Sequence, residues 1–197
     1  MRLILTRHGE TVENKERRMQ GHVYGSLSEL GKEQARRLAL RLKIEKIDYI
    51  YSSDLERAAN TAREISQFHP HAPMTFVKDL REGGWGKFSG KLKIDMTGNP
   101  LKNPERRDYP ADAEQRDEMQ KRVMGFLHQV LHRHPHSTVL FVGHGEINNA
   151  LLNGIKGLHP EEFATADMPP NTAVTILDVQ EDKSHTIHLH NCTKHLE

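Results

Sequence analysis

Five residues at four widely separated places in this chain carry the chemistry open to it: Arg7, His8, Arg57, Glu82 and His144. Arg7 and His8 end an apolar run, Arg57 follows a Ser-Ser-Asp break, and His144 sits inside Gly143-His144-Gly145 after another apolar run. Guanidinium groups grip phosphoryl oxygens in pairs and stay charged at any working pH. Two arginines and two histidines around one point repel one another unless a dianion sits there, and phosphate is the natural candidate. Phosphoryl transfer needs an aligned nucleophile and positive charge where the equatorial oxygens spread. A neutral imidazole is such a nucleophile: its pKa of about 6.5 leaves much of it unprotonated at pH 7, and a hydrogen bond on the second ring nitrogen fixes the attacking tautomer. His8 is assigned this role. His144 is expected to face the same phosphoryl group, in a charged form favoured by the dianion, donating to an equatorial oxygen beside Arg7 and Arg57, while Gly145 admits the backbone closely. Glu82, if partly buried, is the expected proton donor to the leaving alkoxide and later the acceptor from attacking water. The scheme requires no metal and no cofactor.

Each residue taken singly also has a purely structural reading. Arg7 or Arg57 can be a surface ion-pair residue, His8 or His144 a hydrogen-bonded turn residue, and Glu82 a solvated carboxylate; the combination is harder to set aside. His128 and His132, spaced one helical turn apart and followed by His134 and His136, offer a zinc alternative that lacks a carboxylate or cysteine partner nearby in sequence. Lys91, Lys93, Lys102, Arg106 and Arg107 form either a basic lid for acidic substrates or a solvated loop.

The elements that must position these groups alternate. Arg2 to Thr6 reads as a strand, Ser28 to about Lys43 as a capped amphipathic helix, and Ile47 to Tyr51 as a second strand. Ser52-Ser53-Asp54 supplies N-cap oxygens for a helix from about Leu55 to Phe68, with a third strand at Met74 to Val77. A Gly- and Pro-rich, lid-like insertion fills about 83–112, a helix runs from about Ala113 to Arg133, and a strand at Thr138 to Val142 leads into a helix from about Glu146 to Leu152. Ala173 to Val179 and Thr186 to Leu189 read as two antiparallel strands at one edge of the sheet. The expected fold is a single α/β domain over residues 1–197, a three-layer α/β/α sandwich with a mostly parallel sheet and an antiparallel edge strand. In such sheets ligands gather at the carboxyl ends of the strands, where the five residues fall.

Composition narrows the partners. With 28 Lys and Arg against 27 Asp and Glu, the formal charge of +1 provides no global field for nucleic acid or a membrane surface, so any anion site is a local cluster. A single cysteine, Cys192, excludes an internal disulfide framework and fits a reducing, cytoplasmic compartment, and no apolar run is long enough for a leader or a span. The partners expected are a small phosphorylated metabolite and inorganic phosphate as product, with the protein a monomer or homodimer.

The blocks Thr6-Arg7-His8-Gly9-Glu10-Thr11 with Asn14, Ser52-Ser53-Asp54-Leu55-Glu56-Arg57-Ala58, Leu80-Arg81-Glu82 and Val142-Gly143-His144-Gly145, in this order and spacing, resemble the histidine phosphatase superfamily, also called the phosphoglycerate mutase-like family. The resemblance extends through Gln20-Gly21, Leu27 to Gly31, Gln34-Ala35 and Thr61-Ala62. It implies a phosphohistidine on His8, a phosphate pocket of Arg7, Arg57 and His144, and Glu82 as proton donor. It also implies that Asn14, Gln20, Gly21, Gly145 and Glu146 line the pocket, with Asn171 close by. Two stretches depart from the pattern: His22-Val23-Tyr24-Gly25-Ser26-Leu27 lacks an Asp and a Pro common before the Leu, and Trp85-Gly86-Lys87-Phe88-Ser89-Gly90 lacks a Glu. The short chain ahead of the second histidine resembles the phosphatases, including those acting on α-ribazole phosphate or on sugar and glycolytic phosphates, more than the cofactor-dependent phosphoglycerate mutases. Mutase-type transfer and a non-catalytic phosphate-binding module are the competing readings.

Overall fold

In the computed structural model, six strands and five helices alternate over the described residues, 1–23, 25–92, 110–160, 168–182 and 184–197. The first strand, β1 (Arg2–Arg7), is apolar from Leu3 to Leu5 and runs into α1 (Val12–Lys15), a single capped turn that the sequence pattern does not reveal. Thr11 and Asn14 close that turn reciprocally, each side chain taking the other's backbone N–H. Ser28 Oγ caps α2 (Glu29–Leu42) by accepting the Gly31 N–H at 3.0 Å, and Ala35, Leu38, Ala39 and Leu42 bury its apolar stripe, whereas Leu30, expected in the same stripe, is exposed in the first turn.

Next come β2 (Tyr49–Ser53), two residues later than expected, and α3 (Glu56–Ser66). The N-cap of α3 is Leu55, with no side-chain cap, rather than one of the three polar residues before it. Those side chains have other partners: Asp54 takes both bonds of Arg81, at 2.6 and 2.6 Å, while Ser53 Oγ accepts the Leu55 N–H and meets His144. The chain continues through β3 (Met74–Val77), α4 (Arg116–Arg133), β4 (Thr138–Gly143), α5 (Gly145–Ile155), β5 (Val174–Val179) and β6 (His185–Cys192). The last strand is longer than its alternation predicts.

The sheet order is β3-β2-β4-β1-β5-β6. The first four strands are parallel, and β5 runs against both β1 and β6. Alternate residues feed two cores. Leu3, Leu5, Val139, Phe141 and Leu177 pack under α4 and α5, whereas Ile4, Ile50, Leu140, Val142 and Ile176 pack under α2 and α3. This is the three-layer α/β sandwich with a mostly parallel sheet, and it brings the carboxyl ends of β1, β2 and β4 to one edge.

Of the insertion at about 83–112, residues 93–109 lie outside the described part, and with them Lys93, Lys102, Arg106 and Arg107. Its first residues pair with the chain after α1: Gly90 N–H donates to Met19 O at 2.6 Å and Met19 N–H to Lys91 O at 2.9 Å. Among the described residues no three His, Cys, Asp or Glu side chains converge as a metal site, and none of the helices is long and apolar enough to cross a membrane. His134 instead stacks on Tyr49 with ring centroids 3.8 Å apart and meets the Tyr51 hydroxyl at 3.0 Å.

Candidate active site

The strand ends deliver the two histidines to one place. His8 and His144 lie edge to face, with ring centroids 5.0 Å apart and planes at 61°. They reach it because β1 and β4 are neighbours in register, Arg7 opposite Gly143, so the residue after each strand emerges at the same level. The turn carrying His8 is pressed onto the start of α2. A Cβ on Gly9 would stand 2.4 Å from Gly31 O, and one on Gly31 1.9 Å from Glu10 O, so both positions demand glycine for close approach.

His8 is buried, and its Nδ1 donates to Gly9 O at 2.7 Å. That bond places the proton on Nδ1 and leaves Nε2 unprotonated. Desolvation, then the charges of Arg57 and Arg7, hold the His8 pKa well below its ordinary value. His144 is fully buried and lowered for the same leading reason, with Arg57 again the next cause. Its Nδ1 accepts from Arg57 Nε at 3.1 Å, so the ring is neutral, with Nε2–H directed to Ser53 Oγ at 2.8 Å. Both ring nitrogens of His144 have protein partners and the ring touches His8, while the charged form expected of it belongs to the dianion-bound state.

Arg57, the second residue of α3, is almost wholly buried. Besides His144 it serves Gly21 O from Nη2 at 2.7 Å and Val23 O from Nη1 at 3.4 Å. Burial lowers its pKa to about 10, against the attraction of Glu82, so it remains a cation at neutral pH. Arg7 is likewise lowered by burial; its Nη1 donates to Pro169 O at 2.8 Å, and its buried Nε has no hydrogen-bond partner among the described residues.

Glu82 stands at the N-terminus of α5. Its Oε1 accepts from the N–H groups of Glu146 and Ile147, each at 3.1 Å, and also from Gly83 at 3.2 Å. It therefore fills the cap position for which His144, the N-cap residue, supplies no side-chain bond.

These groups surround a cleft of about 450 Å³, the open space at its mouth included. Arg7, His8, Arg57 and Glu82 line it, as do Asn14, Gln20, Gly21 and Glu146. Gln20 is braced by Thr11 Oγ1 at 2.7 Å and Glu13 at 2.9 Å. Asn171 bonds His8 O at 2.9 Å and Asn14 Oδ1 at 3.4 Å, which puts it beside the site as anticipated. Gly145 lies against Arg7 and Met168, with 3.5 Å from its Cβ position to Arg7 Cζ. Sequence reasoning did not propose Arg18, Met19 and Met168 as lining residues, and it noted Trp85 only as part of an atypical wall. The signal for Arg18 and Met19 was their place between Asn14 and Gln20; for Met168 there was none.

Residues 3–193 match the model of the histidine phosphatase superfamily (branch 1). A putative phosphoserine phosphatase 2 of Hydrogenobacter thermophilus is 32% identical, over 95% of this chain and 94% of the relative. The metal-independent phosphoserine phosphatase of Arabidopsis thaliana is 30% identical, over 92% and 77%. The solved structure of Bacillus stearothermophilus YhfR superposes with a TM-score of 0.88 at 29% identity, covering 100% of this chain and 99% of that one. Matched along nearly its whole length in sequence and in backbone, the chain belongs to the histidine phosphatase superfamily, an enzyme family of phosphatases and phosphoglycerate mutase-like proteins that works through a phosphorylated histidine.

Proposed function

We propose that this enzyme is a metal-independent phosphomonoesterase in which His8 Nε2 attacks the phosphorus of a small monoester and the P–O bond to the alcohol breaks. Arg7 and Arg57 neutralise the equatorial oxygens as charge spreads onto them. Glu82, as the acid, gives its proton to the departing oxygen. In the second half it takes a proton from water as that water attacks phosphorus, the His8 N–P bond breaks, and inorganic phosphate leaves. To act so, the carboxyl must exchange one α5 N–H for the substrate oxygen. His144 sets the direction of Arg57 through the Nε bond, and the segment at about 83–112 serves as the cover that selects the alcohol. The single free Cys192 supports a cytoplasmic site of action.

One observation supports this reading above the others: the Nδ1 bond to Gly9 O fixes the tautomer of His8 so that Nε2 is its basic nitrogen, while burial and the two guanidiniums of the pocket disfavour its protonation. A cationic histidine would not attack. The test is release of phosphate from p-nitrophenyl phosphate in EDTA, together with trapping of an acid-labile phosphoenzyme. His8→Ala is expected to abolish both; undiminished turnover in that variant removes His8 from the mechanism. A bisphosphate-primed phosphoglycerate isomerisation assay separates this reading from mutase-type transfer.

A further inference from the structure

We infer that His22 is a positioning residue for the proton donor: it ties the loop around Gly21 to the backbone of Glu82 and so sets where the Glu82 carboxyl meets the leaving group. The inference rests on the assignment of Glu82 proposed above. His22 Nε2 lies 2.7 Å from the Glu82 carbonyl oxygen. A carbonyl oxygen only accepts, so the imidazole donates, whether neutral as the Nε2–H tautomer or charged.

The surrounding geometry makes this contact one end of a bridge. Gly21 has φ +51°, and a Cβ there would stand 3.0 Å from Trp85 Cδ1 and 3.2 Å from Gly83 O, so the loop presses directly on the residues after Glu82. From the other side Arg57 holds the same loop through Gly21 O at 2.7 Å and Val23 O at 3.4 Å. The loop thus spans from the phosphate-binding guanidinium to the peptide of the acid. The neighbours of Glu82 are fixed independently. Arg81 is locked to Asp54 and its carbonyl accepts from Arg122 at 3.1 Å, while Gly84 O accepts the Glu114 N–H at 2.9 Å and the Gly84 N–H donates to Glu114 Oε2 at 3.3 Å. Among the described residues, His22 is the partner of the Glu82 carbonyl itself. Without it that peptide keeps only the Gly83 N–H bond to Glu82 Oε1, at 3.2 Å, and its loosening carries the carboxyl off line. Proton transfer works over a heavy-atom distance of about 2.6–3.2 Å, and a 1 Å misplacement costs up to about 10²-fold. His22 is exposed, so its replacement leaves no cavity in the core.

The measurement is kcat/KM for phenyl phosphate and p-nitrophenyl phosphate, which have nearly the same shape but differ in how much the leaving oxygen needs a proton. Glu82→Gln is expected to lower the phenyl-to-nitrophenyl ratio by roughly tenfold or more. His22→Ala should lower it by roughly three- to fivefold, and His22→Gln, whose amide N–H can donate to the same carbonyl, should stay within about twofold of wild type. If Glu82→Gln shifts the ratio and His22→Ala leaves it at the wild-type value, or depresses both substrates equally, the role given to His22 is wrong while that of Glu82 stands. A flat ratio in Glu82→Gln removes the acid assignment and this inference with it.

Discussion

Replacing Arg57 by Lys keeps the charge of the pocket and destroys its geometry, so it separates the two contributions. In the structure the guanidinium makes two well-formed buried bonds, to His144 Nδ1 at 3.1 Å and to Gly21 O at 2.7 Å, and a longer one to Val23 O at 3.4 Å. An ammonium on a flexible stem reaches one of the two short partners at a time. The other is left buried without a donor, which costs about 1–3 kcal/mol, and a bond to a charged group is lost, so the sum worked from these contacts is about 2–3 kcal/mol. For a domain of this size each kcal/mol moves Tm by about 2–4 °C, which predicts a fall of about 4–12 °C. Urea unfolding at unchanged m-value is the second readout. Because two planar donors no longer meet the phosphoryl oxygens together, kcat/KM on p-nitrophenyl phosphate should fall by about 10²–10³-fold. A variant with wild-type stability and a loss of activity under about threefold would refute the argument, since charge alone would then suffice.

Two further outcomes follow from burial and close approach. His8 and His144 are both held neutral below their ordinary pKa, so as pH falls through about 6.5 the unfolded chain binds protons that the folded one refuses. Stability in phosphate-free buffer should therefore drop with falling pH, by up to about 1.4 kcal/mol per pH unit for each histidine, between the unfolded value and the depressed native one. His8→Gln should flatten the urea-unfolding profile by one histidine's share, and an unchanged slope would contradict the neutral His8. Gly31→Ala places a methyl carbon 1.9 Å from Glu10 O, which must move the turn bearing His8. The expected loss is about 1–3 kcal/mol of stability by overpacking, with a fall in kcat larger than any change in KM; wild-type kcat in a folded Gly31→Ala protein counts against the tight-turn account.

The order of elements and the grouping of Arg7, His8, Arg57 and His144 were legible because strand runs such as Leu3 to Leu5 and Val139 to Val142 are apolar throughout, and because each of these four ends or directly follows such a run or begins the helix after it; Glu82, five residues past β3, carries no such signal. Local polarity did not indicate the partners of these groups. Ser53 and Asp54 look like a helix cap in sequence, yet tertiary partners, His144 and Arg81, take their oxygens. His144 reads as a phosphate ligand from its type and place, while the Arg57 bond that keeps it neutral joins residues 87 positions apart and leaves no local trace. Arg18, Met19 and Met168 belong to the cleft through the same kind of long-range packing, which no periodicity reports.

Glu82 is at once the assigned acid and the group that satisfies the first turn of α5, the helix that starts beside His144. Deleting the side chain therefore does two things, and a dead Glu82→Ala enzyme says little about proton transfer, because the same truncation frees the turn that carries Gly145 and Glu146. Only an amide in its place, which keeps an acceptor oxygen for those peptides, isolates the chemistry from the architecture. For anyone altering this enzyme, removing the proposed acid also loosens the start of α5, where Gly145 and Glu146 stand.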